Sequence, residues 1–429
     1  MEVVDVSSEP RIAEYMELLR SVSRATEPVE VQRQFGRLLL ADPALMAVLS
    51  VSVRGLEAGQ YKVTRFQTRE QFGTPWNDPW ANWKEIPSHS GGFIGRMIAE
   101  PTPKVVRHLL LNRDPVLSDR LAGARSCFVN PLFDEGRALN WSFTFRSEPT
   151  GLSSGDAAEA FLRGNIIGRI TKTLVLAKQA RELNARLTEQ LEQIAQIQRS
   201  LLPDTLPRIE GLSIASSYLT SNEAGGDYYD FFDMGGGAWG AMVADVSGHG
   251  AGAATVMAML QTILQGYHER GRGPAAMLEH ANRQLLAKRI ESNFVTAFFG
   301  VFDGARRTLR YANAGHNRPL LRRRRGVVEP IDGVSSLPLG IVDDPGYEVG
   351  EVALAPGDTL VLYTDGITEA FAPPPGKEMF GDERLAGALS DCSGEPACVI
   401  DSIHERLYAH TRSMDRVDDQ TLVALRVEE

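Results

Sequence analysis

The sequence predicts an α+β protein in two parts joined by a long helix. Three observations carry this. After Pro207, short apolar runs broken by Gly and Asp alternate with blocks of helical periodicity, which suggests a sandwich of strands with helices added in blocks. Ahead of it, Thr173, Leu176, Ala180, Leu183, Leu187, Gln190, Ile194, Ile197 and Leu201 step by three and four without a slip. Ahead of that, strand and helix signals mix over residues 28–170. A length of 429 residues has room for two or three domains.

The bulk composition narrows the function classes. A net charge of −10 argues against a dedicated nucleic-acid binder. Three cysteines, Cys127, Cys392 and Cys398, make no disulfide framework and match no zinc spacing, which fits a reducing compartment. The longest apolar stretch, 251–264, contains Gln261 and is too short to span a bilayer. The start of the chain lacks the basic-then-apolar pattern of a signal peptide. A cytoplasmic protein with no membrane or nucleic-acid partner is expected. The basic run Arg322 to Arg325, followed by Gly326, reads as a solvated hairpin tip rather than an anionic docking patch.

Taken in order, Ile12, Tyr15, Met16, Leu18 and Leu19 give a short N-terminal helix within residues 1–24. Residues 47–53, 60–66 and 140–145 read as strands, the last alternating around Trp141, Phe143 and Phe145. Between them, Trp76, Trp80 and Trp83 fall in a turn-rich segment that Pro79 keeps from being a helix; they cover a small core or line a small-molecule pocket. His89, without a partner of its kind, reads as structural or exposed rather than as a ligand. Cys127 to Gly136 reads as an apolar strand, a Pro131-Leu132 step and a turn. By element order and this Pro-Leu…Gly pattern, residues 25–170 resemble a GAF sensor domain, a family that binds small ligands or only dimerises.

The heptad positions place a linker helix at 171–202. Their narrow apolar seam, with Lys178, Arg181, Glu182, Glu189 and Glu192 on other faces, favours a parallel coiled coil between two chains, hence a homodimer, over a helix packed within one chain. Pro203 forces Leu202 out of the helical region and ends it. The remaining domain, 203–429, has strand candidates at 213–218, 229–233, 240–245, 297–303, 308–313, 319–321, 359–363 and 421–427. Its helix candidates are 251–267, 274–289 and 396–413.

Four of these strands begin or end on aspartates, three of them with Gly beside or close by: Gly225-Gly226-Asp227, Asp245-Val246-Ser247-Gly248, Asp365-Gly366 and Asp418-Asp419. A single Asp-Gly is usually a turn. Four at strand ends suggest one shared cluster, in which crowded carboxylates repel unless divalent cations neutralise them. An all-oxygen set suits Mg²⁺ or Mn²⁺. Two such ions can acidify a shared water for in-line attack on phosphorus.

These stretches carry a second resemblance. Gln198-Arg199-Ser200-Leu201-Leu202-Pro203, Gly225-Gly226-Asp227-Tyr228-Tyr229-Asp230, Asp245-Val246-Ser247-Gly248-His249-Gly250, Asn313-Ala314-Gly315-His316-Asn317, Tyr363-Thr364-Asp365-Gly366 and Asp418-Asp419-Gln420-Thr421 run in the order of one family. Residues 190–429 resemble the SpoIIE/RsbU-like branch of the PPM metal-dependent Ser/Thr phosphatases. The resemblance implies an αββα sandwich holding two divalent cations, Mn²⁺ or Mg²⁺. It implies that Asp245 bridges both ions and that Val246 offers its carbonyl to one. It implies that Asp365 and Asp418, with Asp419 beside it, complete one shell and that Asp227 acts near the second ion. Asp245 and Asp227 are thus the expected catalytic residues. His249, four residues past Asp245, is out of register for a general acid and reads as loop-ordering. His316 reads as a hydrogen-bonded turn residue, and Asp230 as either supporting the site or capping its strand. The family's usual substrate is a phosphorylated anti-sigma-factor antagonist, so a small regulatory phosphoprotein is the expected partner. A pseudo-phosphatase that binds without cleaving is the alternative. Gly225-Gly226-Asp227 followed by Tyr228-Tyr229 departs from a diguanylate cyclase, and no P-loop is present.

Overall fold

The computed structural model describes residues 4–72, 82–111, 114, 116–221, 224–288 and 293–428. By its contacts the chain divides into two units, Met1–Asn184 and Ala185–Glu429, with the division inside the long helix.

The first unit opens with α1 (Pro10–Ser23) and α2 (Pro28–Leu40). Glu27 and Glu30 form a capping box at the start of α2, and Pro28 supplies the preset first helical residue. Then come β1 (Leu45–Ser52), β2 (Gln60–Thr68), β3 (Ser88–Ser90), α3 (Gly92–Ile98), β4 (Lys104–Val106), β5 (Ser126–Asp134) and β6 (Arg137–Arg146). They make one antiparallel sheet ordered β3-β2-β1-β6-β5-β4. Side chains alternate across it, as strand geometry requires. Ala47, Leu49, Val51, Phe143 and Phe145 are buried with Phe93 and Ile94 of α3 on one face. The predicted strands at 47–53, 60–66 and 140–145 lie within or along β1, β2 and β6. The turn after Pro131-Leu132 falls at Glu135–Gly136, both with positive φ. The segments α2, α3, β3 and β4 escaped prediction, and β3 and β4 are three residues each, too short to show a period. His89 lies on β3 beside the Tyr61 ring. Trp83 carries the Lys62 ammonium 4.8 Å from its ring centre; Trp76 and Trp80 lie outside the described residues.

Helix α4 (Ser154–Arg199) runs 46 residues without a break, about 69 Å at 1.5 Å per residue. It starts well before the predicted linker and stops three residues before Leu202. Leu201 N and Leu202 N already bond three residues back, to Gln198 O and Arg199 O, a tightened last turn ahead of Pro203. Within one chain, Leu176, Leu183, Leu187 and Ile197 are exposed.

The second unit comprises β7 (Leu212–Leu219), β8 (Tyr228–Gly235), β9 (Ala238–Val246), α5 (Ala251–Gln265), α6 (Pro274–Ala287), β10 (Val295–Asp303), β11 (Thr308–Ala314), β12 (Leu320–Arg322), β13 (Val328–Pro330), β14 (Gly350–Ala353), β15 (Thr359–Tyr363), α7 (Asp365–Thr368), α8 (Gly381–Ser390), α9 (Pro396–Thr411) and β16 (Gln420–Val427). Two antiparallel five-stranded sheets form, β14-β11-β10-β9-β8 and β13-β12-β15-β16-β7. Helices α5 and α6 pack on the first, and α8 and α9 on the second. The arrangement is four layers, αββα. On β15 and β16, Leu360, Leu362, Val423 and Leu425 face the shared core with Phe298 and Tyr228. Their neighbours Val361, Tyr363, Leu422 and Ala424 face Leu385, Val399 and Ile403 of the outer helices.

The basic run departs from expectation in part. Arg322 to Arg325 do sit at the β12–β13 turn, but Arg322 points inward and is 6 % exposed. Its Nε and one terminal nitrogen donate to the Leu389 and Cys392 carbonyls, at 2.8 and 2.7 Å. A buried guanidinium needs such acceptors, and the end of α8 supplies them. Arg323 pairs with Glu329 and Asp358. Arg324 and Arg325 stay exposed, so the tip is solvated as expected while Arg322 braces the interior.

Candidate metal centre

The predicted aspartates sit where strands leave the two-sheet core. Asp245 lies one residue before the end of β9, and Asp227 stands just before β8, across from β9. Asp365 opens α7 directly after β15, and Asp418 and Asp419 lead into β16. Each strand order puts these ends together: β8 and β9 are neighbours in one sheet, β15 and β16 in the other.

Glycine makes the approach feasible. A Cβ at Gly225 would overlap the Asp419 carboxylate, and one at Gly366 would overlap the Asp419 backbone carbonyl. A Cβ at Gly226 would come within 2.7 Å of the Val246 carbonyl oxygen. The glycines beside the aspartates are therefore required by close packing of the cluster itself.

The five aspartates differ in environment. Asp227 is 1 % exposed, and its Oδ2 accepts from Thr364 Oγ1 at 2.7 Å and Thr421 Oγ1 at 2.5 Å. Burial first, then the Asp245 charge, push its pKa well above the usual carboxylate range. Burial, followed by the charges of Asp365, Asp418 and Asp419, pushes Asp245 up to about 7. Asp365 rises to about 6 through burial and the charges of Asp418 and Glu369. Asp418 is raised by burial, with the Asp419 N–H and His249 pulling the other way. Asp419 acts on the backbone instead. Its two oxygens accept from Ser221 N at 2.8 Å and Gly226 N at 2.6 Å, which fixes the loop carrying Asp227.

Mutual repulsion of buried carboxylates is the signature of a site built for positive charge. Oxygen-only donors suit a hard cation. Among the described residues, no three acidic, histidine or cysteine side chains already stand ready around one ion. The donor set fits divalent cations by its chemistry and charge.

His316 is buried, and burial lowers its pKa to about 4, so it is neutral. Its Nε2–H donates to the Tyr363 carbonyl at 3.1 Å, which leaves Nδ1 to accept from Thr296 Oγ1 at 2.8 Å. Thr296 is the β10 partner of Asp245, and Tyr363 lies two residues before Asp365. His316 thus bolts the two sheets together behind two of the aspartates, while Asn313 closes the turn around it, as a turn residue was expected to behave. His249 is exposed in the loop before α5. Asp230 faces away from the cluster's hydrogen bonds: it accepts from Tyr228 Oη at 2.6 Å and Gln265 Nε2 at 2.7 Å, joining β8 to the end of α5.

Sequence reasoning missed the residues that support the aspartates. Thr364 and Thr421, beside Asp365 and two residues past Asp419, were in plain view but carried no signal of their own. Gln198, near the end of α4, is buried; its side chain donates to Gly225 O at 2.6 Å and accepts from Gly225 N at 3.0 Å. It grips the backbone two residues before Asp227.

Four layers in αββα order with an acidic cluster at the meeting rim of the sheets define a class: the C-terminal half of the chain is a PP2C-type phosphatase domain. Within that class its similarity is to the SpoIIE family and to RsbU. The family model of Stage II sporulation protein E (SpoIIE) matches residues 235–428. The chain is 26% identical over 281 residues to Protein IcfG of Synechocystis sp., covering 59% of this chain and 43% of that protein. It is 26% identical over 251 residues to phosphoserine phosphatase RsbU of Bacillus subtilis, covering 57% of this chain and 72% of the relative. The SiaA-PP2C domain of Pseudomonas aeruginosa superposes with a TM-score of 0.50 and 25% identity, covering 58% of this chain and 98% of that one. The chain thus spans less than half of one relative and most of another. No helix among the described residues is long and apolar enough to cross a membrane.

Proposed function

We propose that the chain is a metal-dependent protein serine/threonine phosphatase whose substrate is a phosphorylated regulatory protein, an anti-sigma-factor antagonist by analogy with the family. The single observation that carries this is the cluster of aspartates, from buried Asp227 through half-buried Asp245 and Asp365 to exposed Asp418, whose charges repel one another at the junction of the two sheets. Its likeness to a phosphoserine phosphatase supports the same reading.

In this reading Asp245, Asp365 and Asp418, with the Val246 carbonyl, hold two divalent cations, Mn²⁺ or Mg²⁺, and Asp227 serves the second. The ions, when bound, supply Lewis acidity toward phosphoryl oxygens and lower the pKa of water. Asp227, fixed by two threonine hydroxyls, is placed to orient water. Asp419 and His316 position; they are not catalytic. The N-terminal unit acts as a GAF-like sensor, and α4 pairs with its counterpart in a homodimeric coiled coil. Gln198, rigidly tied to Gly225, is the point where a shift of that helix reaches Asp227.

The test is hydrolysis of p-nitrophenyl phosphate by the full chain and by residues 185–429, in EDTA, Mg²⁺ or Mn²⁺. Turnover in either metal and none in EDTA is expected. Calorimetry showing no binding of Mn²⁺ or Mg²⁺, together with no turnover, would overturn the enzyme reading in favour of a phosphoprotein-binding scaffold.

A further inference from the structure

The first unit contains a cavity of about 450 Å³, within the usual range for small-molecule sites. It lies on the face of the β3-β2-β1-β6-β5-β4 sheet opposite the α3 core. Val48 and Ser50 line it, alternating with the buried Ala47 and Leu49, and helices α2 and α4 supply the outer wall.

Two properties of the wall point to a ligand. The first is charge. Arg54, Arg65, Arg169 and Lys172 line the cavity among the described residues, against one lining carboxylate, Asp134. Asp134 is already engaged by Arg54, Arg169 and Lys172. Among the described residues Arg65 has no hydrogen-bonded or ionic partner, and burial alone lowers its pKa. The second is a set of orphaned polar atoms. Arg65 Nε and Gln32 Oε1 are buried and without a hydrogen-bond partner, and both residues line this cavity. Native interiors rarely leave such groups unmatched, and each exception asks for a missing partner. One donor and one acceptor are offered. Phe35, Leu39 and Leu132 add apolar surface.

We infer that this cavity binds a small organic anion with an apolar body: its carboxylate, sulfonate or phosphate takes the Arg65 guanidinium, and a hydroxyl or amino group serves Gln32. The site is separate from the acidic centre and carries the opposite charge, so it does not depend on the phosphatase reading. Gly164, Asn165 and Gly168 of α4 form part of its wall, so the ligand touches the long helix directly.

The experiment uses the full chain and a fluorescent probe of this chemistry, 8-anilinonaphthalene-1-sulfonate, with N-phenyl-1-naphthylamine as its uncharged counterpart. Two variants are compared with the wild type by near-UV circular dichroism and by titration. Arg65→Met removes the anion partner. Gly168→Leu fills the cavity; a Cβ there meets nothing nearer than Leu132 Cδ1 at 3.9 Å, and leucine suits a helix interior better than glycine. The expected result is one saturable sulfonate site per chain in the wild type. Its affinity should drop at least tenfold in both variants. The neutral probe should bind wild type and Arg65→Met alike and lose affinity in Gly168→Leu. No saturable sulfonate binding to the wild type, or binding within twofold of it in a folded form of either variant, overturns the inference. If Arg65→Met does not fold, the Gly168→Leu comparison decides.

Discussion

Asp245 concentrates the electrostatic cost of the acidic cluster in one residue. In the metal-free protein its carboxyl titrates near 7 and that of Asp365 near 6, against about 3.8 in the unfolded chain. A carboxyl with a raised folded pKa favours the fold when protonated, so its contribution is present in acid and lost as pH rises through the folded value. His316 works in the opposite sense. Its folded pKa of about 4 lies below the unfolded 6.5, so its contribution holds above pH 6.5 and fades below it. Between pH 8 and 6.5 only the carboxyls change. The melting temperature in EDTA should therefore rise as pH is lowered through that window, by up to about 1 kcal/mol of stability, most of it from Asp245. Mg²⁺ should flatten the trend. Asp245→Asn should melt higher than wild type in EDTA at pH 8 and lose at least a thousandfold in metal-dependent turnover. A metal-free melting curve that ignores pH, or falls toward 6.5, contradicts the repulsion argument. The aspartates were legible because an aspartate at a strand end recurs four times, mostly beside Gly. Thr364, Thr421 and Thr296 were not, since a hydroxyl that serves a partner across the fold leaves no local pattern.

At the scale of elements, the α4 seam is the strongest periodic signal in the sequence, and the structure makes it one uninterrupted helix. Its apolar positions around Leu183 and Leu187 lie open in a single chain. A solvent-facing leucine costs the monomer little to replace, within about 0.5 kcal/mol. Leu187→Asp should therefore leave the melting temperature of a dilute sample unchanged while weakening self-association at least a hundredfold by sedimentation, and should change phosphatase turnover at least fivefold. Unaltered association and turnover in that variant sink the dimeric coiled coil. Long strands such as β9, β10 and β16 were readable to within about two residues, because their apolar runs are bounded by Gly, Asp or Pro. The edge strands β13 and β14 were not. Three or four residues at a sheet margin gain their conformation from one neighbour's backbone, which sequence patterning does not record. The same reason hid Arg322: a row of arginines looks solvated until the carbonyls at the end of α8 come within reach.

Across the whole molecule, each unit has its own apolar core, one around Phe93, Phe143 and Phe145, the other around Tyr228, Phe298 and Leu362. Cores that share so little fold as separate cooperative units. Calorimetry should show two transitions, and only one of them should climb with Mg²⁺, by about 2.7 kcal/mol at a hundredfold excess over the dissociation constant. A single transition, or one in which both peaks move with metal, contradicts this division. The acidic cluster draws on residues from 227 to 419, so no short stretch of sequence contains the site. It became legible only when scattered aspartates at strand ends were read together.

The strand order has a consequence for how the chain is made. β7 has one neighbour, β16, synthesised roughly two hundred residues later. On the ribosome β7 waits with both edges bare while β8 to β15 and helices α5 to α9 emerge ahead of its own partner. Unpaired edges are sticky. A nascent chain stalled before residue 420 is therefore a ready client for a holdase, and the same last stretch that seals this edge also brings in Asp418 and Asp419. The sheet edge and the acidic cluster are therefore completed by one stretch of chain.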